Sequence, residues 1–121
     1  TETPDYSDLF RATKELASEL SVLSAMSKDV AAARTVLEYD SDRRKNALAT
    51  AVLKAFKDGT DSTSKAEHIA RASVGYETTM EKLAKNHTMA EQVIADCYAC
   101  RAKIDSLRSI IAVHRQIAGI Q

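Results

Sequence analysis

The chain has 121 residues, with 17 Lys and Arg balancing 17 Asp and Glu, and with many Ala among its 45% hydrophobic residues. Aromatic residues make up 5%, Trp is absent, and one Pro and three Gly leave few signals for turns or strands. This composition excludes a thick aromatic core and a β-rich fold, and it predicts one all-α domain built from a few long helices.

Charge is segregated along the chain although the total is zero. Residues 1–42 hold 4 basic and 9 acidic groups, whereas residues 43–57 hold five basic groups and no acidic one. The basic groups of this second stretch, called the basic block below, are Arg43, Arg44, Lys45, Lys54 and Lys57. Such a block can meet a phosphate backbone or the acidic helix of a neighbouring copy.

The first predicted helix covers residues about 4–38. Thr3 can cap it and Pro4 fits its first turn. Leucine or valine then recurs every seven residues, and a half-apolar second layer stands three residues ahead of each. The first layer is Leu9, Leu16, Leu23, Val30 and Leu37, and the second is Tyr6, Thr13, Leu20, Ser27 and Arg34. This spacing is typical of a narrow coiled-coil seam.

The seam falters and the charge changes sign at residues 39–42, which predicts either a kink or a turn there. A helix over residues about 43–57 follows. Gly59 can take the left-handed position that ends it, so residues 58–63 are predicted to form a loop.

Ser64 and Glu67 form a capping-box pattern that begins a long helix over residues about 64–118. Its predicted seam is Ile69, Ser73, Tyr76, Met80, Leu83, His87, Ala90, Ile94, Cys97, Arg101 and Ile104, continuing through Leu107, Ile111 and His114 to Ala118. The whole chain is thus a helix-loop-helix hairpin with coiled-coil seams. Because these seams are too thin for a globular core, an oligomer is expected.

Residues capable of chemistry are few. Cys97 and Cys100 would supply half of a zinc site, and no second Cys or His pair completes it, so two buried, reduced thiols are expected and neither a metal nor a cofactor. His87 falls on the seam, where a polar residue usually fixes register. No nucleophile and base stand at a catalytic spacing, and the chain is predicted not to be an enzyme.

The sequence has no apolar run long enough for a signal peptide or a membrane span. A soluble, cytoplasmic protein without a membrane partner is therefore expected.

Three segments resemble the UvsY recombination mediator family, whose members are small helical proteins of phages and prophages. They are Arg44-Lys45-Asn46-Ala47-Leu48 running to Lys57, the restart at residues 64–67, and the ending from Ile104 through residues 105–109 to His114-Arg115. The resemblance covers residues about 37–119. Where the family has Lys and Arg just after its Ala-Leu pair, this chain has Ala49 and Ala51, so the basic stretch is carried over without individual site residues.

The resemblance implies a mediator in the cytoplasm of a bacterial host cell. Such a mediator assembles with itself into a ring, binds single-stranded DNA through its basic residues, and helps a recombinase displace a single-strand-binding protein. A second hypothesis is a helical interaction module, such as a phage inhibitor or adaptor, whose seams bind a partner helix. Binding to DNA that depends on salt distinguishes the two hypotheses.

Overall fold

The computed structural model describes residues 6–119, and these form three α-helices and no strand. Helix α1 spans Ser7–Lys57, α2 spans Thr63–Ala72 and α3 spans Val74–Ile117. The all-α prediction is confirmed. The predicted cap at Thr3 and Pro4 lies outside the described residues.

The chain divides into two compact units. In its described part, the first unit joins residues 6–31, which are in α1 from Ser7 onwards, with residues 93–119, and the second unit consists of residues 32–92. Each unit therefore packs a segment of α1 against a segment of α3, and the second unit also contains α2.

Helix α1 continues through residues 39–42, where the sequence predicts a kink or a turn. None of these four residues is Pro or Gly, so nothing in the backbone forces a break. Arg44 Nε also donates a hydrogen bond of 2.8 Å to Asp40 Oδ2, and this i,i+4 pair links a residue of the predicted break to the helical turn that follows it. A change in charge sign is not a backbone signal, and α1 is a single helix of 51 residues.

The end of α1 confirms the role predicted for Gly59. Its φ is +105°, its N–H donates to Phe56 O at 3.1 Å, and the N–H of Thr60 donates to Ala55 O at 3.2 Å. These two hydrogen bonds form a Schellman motif, which satisfies carbonyl groups in the last turn.

Helix α2 is capped two residues earlier than predicted. Ser62 Oγ accepts a hydrogen bond of 3.3 Å from the N–H of Lys65, and the helix begins at Thr63. Ser64 already lies within the first turn and does not form the predicted capping box, since Ser62 occupies the cap position.

The predicted continuous helix over residues 64–118 is wrong, because Ser73 separates α2 from α3. Ser73 has an extended backbone, with φ −75° and ψ 143°. Its hydroxyl donates to Ala70 O at 2.7 Å and accepts from the N–H of Tyr76 at 3.3 Å. One side chain thus closes α2 and caps α3, and these bonds replace the helical bonds that the break removes.

The buried stripe of α1 contains the predicted heptad leucines, but its second layer lies on the other flank. Tyr6 and Leu20, predicted for that layer, are 44% and 39% exposed. The inner residues stand three positions after each heptad residue: Ala12, Glu19, Met26 and Ala33. Spacing alone does not distinguish the two flanks, because both carry apolar residues. The small alanines allow close approach of the facing helix, and Glu19 obscures the pattern in the sequence.

The seam of α3 is confirmed at most positions. Two residues predicted for the seam are exposed, and neighbouring residues are buried instead. In α3, Cys100 is buried and Arg101 is exposed. In α2, Ala66 and Ala70 are buried and Ile69 is 50% exposed. Because Cys100 and not Arg101 belongs to the seam, the irregular spacing that was predicted after residue 104 occurs instead at residues 90–97.

The core is thin throughout the described part. No large side chain among residues 6–119 is less than 2% exposed.

Candidate nucleic-acid interface

All five residues of the basic block lie on α1, and three of them share one face. Because each helical residue turns the chain by about 100°, offsets of 11 and 14 residues bring Lys54 and Lys57 to within about 40° of the direction of Arg43. Lys45 points away from this face, and Arg44 points towards the interior of the second unit. We call Arg43, Lys54 and Lys57 the cationic line.

Exposure and pairing separate the members of the basic block further. Arg43, Lys45, Lys54 and Lys57 are exposed, and none of them forms an ion pair with another described residue. Arg44 is half-buried and bonded to Asp40. It therefore stabilises the second unit, and the structure leaves the other four residues free to contact phosphate.

A cleft of about 650 Å³ lies beside the cationic line in the second unit. Arg43 and Lys54 belong to its α1 wall, and Tyr76 and Leu83 belong to its α3 wall. Small side chains such as Ala51 also line it. The cleft thus combines positive charge at its margin with apolar and aromatic surface inside.

A polar cluster connects α1 and α3 in the second unit. Asp40 Oδ2, already bonded to Arg44, lies 3.4 Å from the buried Nδ1 of His87, and His87 Nε2 lies 2.8 Å from Glu91 Oε1. His87 is half-buried on the inner face of α3, as its place in the predicted seam implies. The cluster fixes which residues of the two helices face each other, since a shift in register would separate these charged and polar groups.

A second polar cluster occupies the corresponding place in the first unit. Glu19 Oε1 accepts a hydrogen bond from Lys103 Nζ at 3.0 Å, and the Cys100 thiol lies 3.5 Å from both Glu19 Oε2 and Glu19 O. Glu19 and Asp40 are 21 residues apart, which is three heptads, so they occupy the same column of α1. Two carboxylates in one heptad column are the signal from which these register-fixing sites could have been found.

The ionisation of this cluster follows from its contacts. The hydrogen bond from Lys103 lowers the pKa of Glu19, and the same bond raises the pKa of Lys103. Burial, followed by the hydrogen bond to Glu19, raises the pKa of the Cys100 thiol. At neutral pH the carboxylate and ammonium are both charged, and the thiol stays protonated.

The Glu19 contact makes stability depend on pH in a defined direction. Because the folded-state pKa of Glu19 is lowered, its contribution is present above the unfolded value near 4.5 and is lost as pH falls through the folded value. Glu19→Gln should therefore have a lower Tm than the parent at pH 7, and the difference should shrink towards about pH 3. Thermal melts monitored by circular dichroism at both pH values test this, and a difference that is the same at both would contradict it.

Both cysteines are buried and unbonded to each other. Within residues 6–119, no three His, Cys, Asp or Glu side chains are grouped so that they could hold a metal ion. The two thiols instead pack in the seam between α1 and α3.

An uncharged stripe runs along the exposed side of α3 in the first unit, away from the buried seam. Its members recur at spacings of three and four: Ala95, Ala99, Ala102, Ser106, Ile110, Val113 and Ile117. Ile110, Val113 and Ile117 are 42%, 54% and 78% exposed. We call this set the outer stripe. Its spacing is that of a coiled-coil seam, and no described residue of the chain covers it.

A similar uncharged line follows α1 in the first unit: Tyr6, Phe10, Thr13, Ala17, Leu20 and Ser24. It includes Tyr6, Thr13 and Leu20 of the predicted second layer of the seam, and Phe10 is 69% exposed. Both helices of this unit therefore present a second apolar face to solvent.

No helix in the described part of the chain is long and apolar enough to cross a membrane. Comparison with protein-family models, with curated proteins and with solved structures finds no match to this chain.

Proposed function

We propose that this chain is a non-enzymatic recombination mediator that assembles with itself and binds single-stranded DNA. The observation that supports the proposal best is the cationic line, three exposed and unpaired basic side chains on one face of an unbroken helix. Lys45, on the opposite side of α1, adds to the positive charge of this segment. Such a line neutralises phosphates without reading base sequence.

Assembly is part of the same proposal. Three cations in one copy give weak binding, and repetition of the line in each copy of an oligomer, such as a ring, turns later contacts into intramolecular ones. The outer stripe offers a seam for a second copy, because an exposed apolar stripe of this kind marks an interaction surface.

The mediator role rests on the resemblance of residues about 37–119 to the UvsY recombination mediator family. In this role the oligomer holds the strand while a recombinase replaces a single-strand-binding protein. The chain itself needs no catalytic group or cofactor for this task, because it acts by binding.

Salt dependence tests the electrostatic part of the proposal. Each phosphate contact on a single strand contributes about −0.7 to the slope of log affinity against log salt. Three contacts per copy should therefore give a slope of about −2 for each engaged copy. Fluorescence anisotropy of a labelled oligothymidylate over a salt series measures it, and a slope near zero would contradict the proposal.

A second candidate function is an interaction module that binds a partner helix. The outer stripe favours it, because exposed Ile110, Val113 and Ile117 at coiled-coil spacing can dock any helix with a matching seam. This candidate predicts no binding of single-stranded DNA at low salt, so the same salt series separates the two.

A further inference from the structure

We propose that the cleft of the second unit receives a nucleobase of the bound strand, which stacks on Tyr76 while phosphates on either side contact Arg43 and Lys54. This inference rests on the proposed function, since it concerns how the same helix face holds single-stranded DNA. It adds a contact to the base, which the cationic line alone does not provide.

The register of the two helices places the aromatic ring between the two cations. Asp40 on α1 contacts His87 on α3, and the two helices are antiparallel in this unit, since the segment that joins them, residues 58–73, lies in the same unit. Ala51, eleven residues after Asp40, and Tyr76, eleven residues before His87, therefore lie at about the same level. Arg43 precedes Ala51 by eight residues and Lys54 follows it by three.

The spacing of the cations suits a short stretch of strand and not a single phosphate. Eleven residues at the helical rise separate Arg43 from Lys54 by about 16 Å along the axis. A strand that contacts both runs along the cleft between them, so that the base of a nucleotide between the two contacts can enter the opening.

The lining of the cleft has the chemistry that a base requires. Tyr76 is half-buried, so its ring is held in place and still reachable from the cleft. Ala47 and Ala51 leave room beside it, and a Cβ added at Gly75 would meet no atom within 4 Å. The volume of about 650 Å³ lies within the usual range for small-ligand sites, about 300 to 1,000 Å³.

Polar groups at the cleft favour a nucleotide over the apolar face of a partner helix. Asn46, Thr50 and Thr79 supply neutral donors and acceptors for base edges. Arg43 and Lys54 supply the charge that phosphate needs, with Asp58 as the acidic lining residue. An apolar helix placed here would desolvate these groups without satisfying them.

The test compares two ligands on the unaltered chain. One is a labelled oligothymidylate and the other is an oligomer of the same length in which the central nucleotides are abasic. Both carry the same phosphates, so the cationic line contacts them equally. Loss of a stacked base is expected to weaken binding about fivefold or more at matched salt.

Substitutions in the cleft test whether the preference for the base-containing oligomer arises there. Tyr76→Ala should bind the two oligomers equally, whereas Tyr76→Phe, which keeps the ring, should still prefer the oligothymidylate. Ala51→Leu, which fills the cleft and keeps the Tyr76 side chain, should also remove the preference, and it serves in place of Tyr76→Ala if circular dichroism shows that the latter is unfolded.

The outcomes separate this inference from the proposed function. Equal affinity of the parent for both oligomers, or a preference that survives in both cleft variants, overturns the inference while salt-dependent binding still supports the proposed function. Failure to bind either oligomer at about 50 mM salt overturns both. Displacement of the strand by an apolar helical peptide, with no preference for bases, would assign the cleft to a protein partner and overturn the inference.

Discussion

Reversing the charges of Arg43, Lys54 and Lys57 together to Glu is expected to lower the affinity for single-stranded DNA by about 100-fold or more at low salt. Each copy then loses three phosphate contacts and gains three repulsive charges, and the loss is multiplied over the copies that engage one strand. Because the three side chains are exposed, helix content and oligomer mass should not change. Anisotropy with a labelled oligothymidylate measures the affinity.

A matched variant controls for net charge. Lys14, Lys28 and Arg34 are also exposed on α1, and changing all three to Glu alters the charge of the chain by the same amount. This control should keep most of the affinity, because none of these residues belongs to the basic block. Equal losses in the two variants would contradict the assignment of the site. Arg44 is left unchanged in both, since reversing it would place two carboxylates together at Asp40.

The second large effect is expected on assembly. Val113→Glu combined with Ile117→Glu should reduce the mass in light-scattering chromatography to the 13.2 kDa of one chain. Both side chains are exposed in the single chain, at 54% and 78%, so the substitutions should not unfold it. In an interface between copies, however, each unpaired carboxylate would be desolvated at a cost of about several kcal/mol.

The control for this variant changes charge on another side of the same helix. Arg101→Glu with Arg108→Glu alters the net charge more and does not touch the outer stripe, so the mass should match that of the parent. If the Val113 and Ile117 variant keeps the mass of the parent, another surface holds the copies together.

The sequence predicts the parts of the fold that depend on local spacing. The heptad positions of α1, the seam of α3 and the positive φ of Gly59 all follow from rules that involve a few neighbouring residues. The flank on which α1 pairs does not follow from them, since Tyr6 and Leu20 on one side look as apolar as Ala12 and Met26 on the other.

The break between α2 and α3 at Ser73 could not be predicted from the sequence either. Serine is compatible with the interior of a helix and with its cap, and the sequence around it offers no proline and no glycine before Gly75. The break depends on two hydrogen bonds that the Ser73 hydroxyl makes at the same time, to Ala70 O and from the N–H of Tyr76. The residue types alone do not predict these bonds.

The sequence predicts which basic residues belong to the candidate site, but it does not show which of them are exposed and which are paired. An Asp four residues before Arg44 is a local signal for their ion pair, and it could have removed Arg44 from the set. The contact of the same Asp40 with His87 joins residues 47 positions apart, so neither this contact nor the cleft beside Tyr76 follows from local pattern.

Light-scattering chromatography of the unaltered chain at micromolar concentration, with and without a labelled single-stranded oligonucleotide, is the most direct test of assembly and strand binding. We expect a mass of at least twice the 13.2 kDa of one chain. The oligonucleotide should elute with this assembly at about 50 mM salt and separate from it when the salt is raised. A folded monomer that elutes apart from the oligonucleotide at low salt would contradict both proposals.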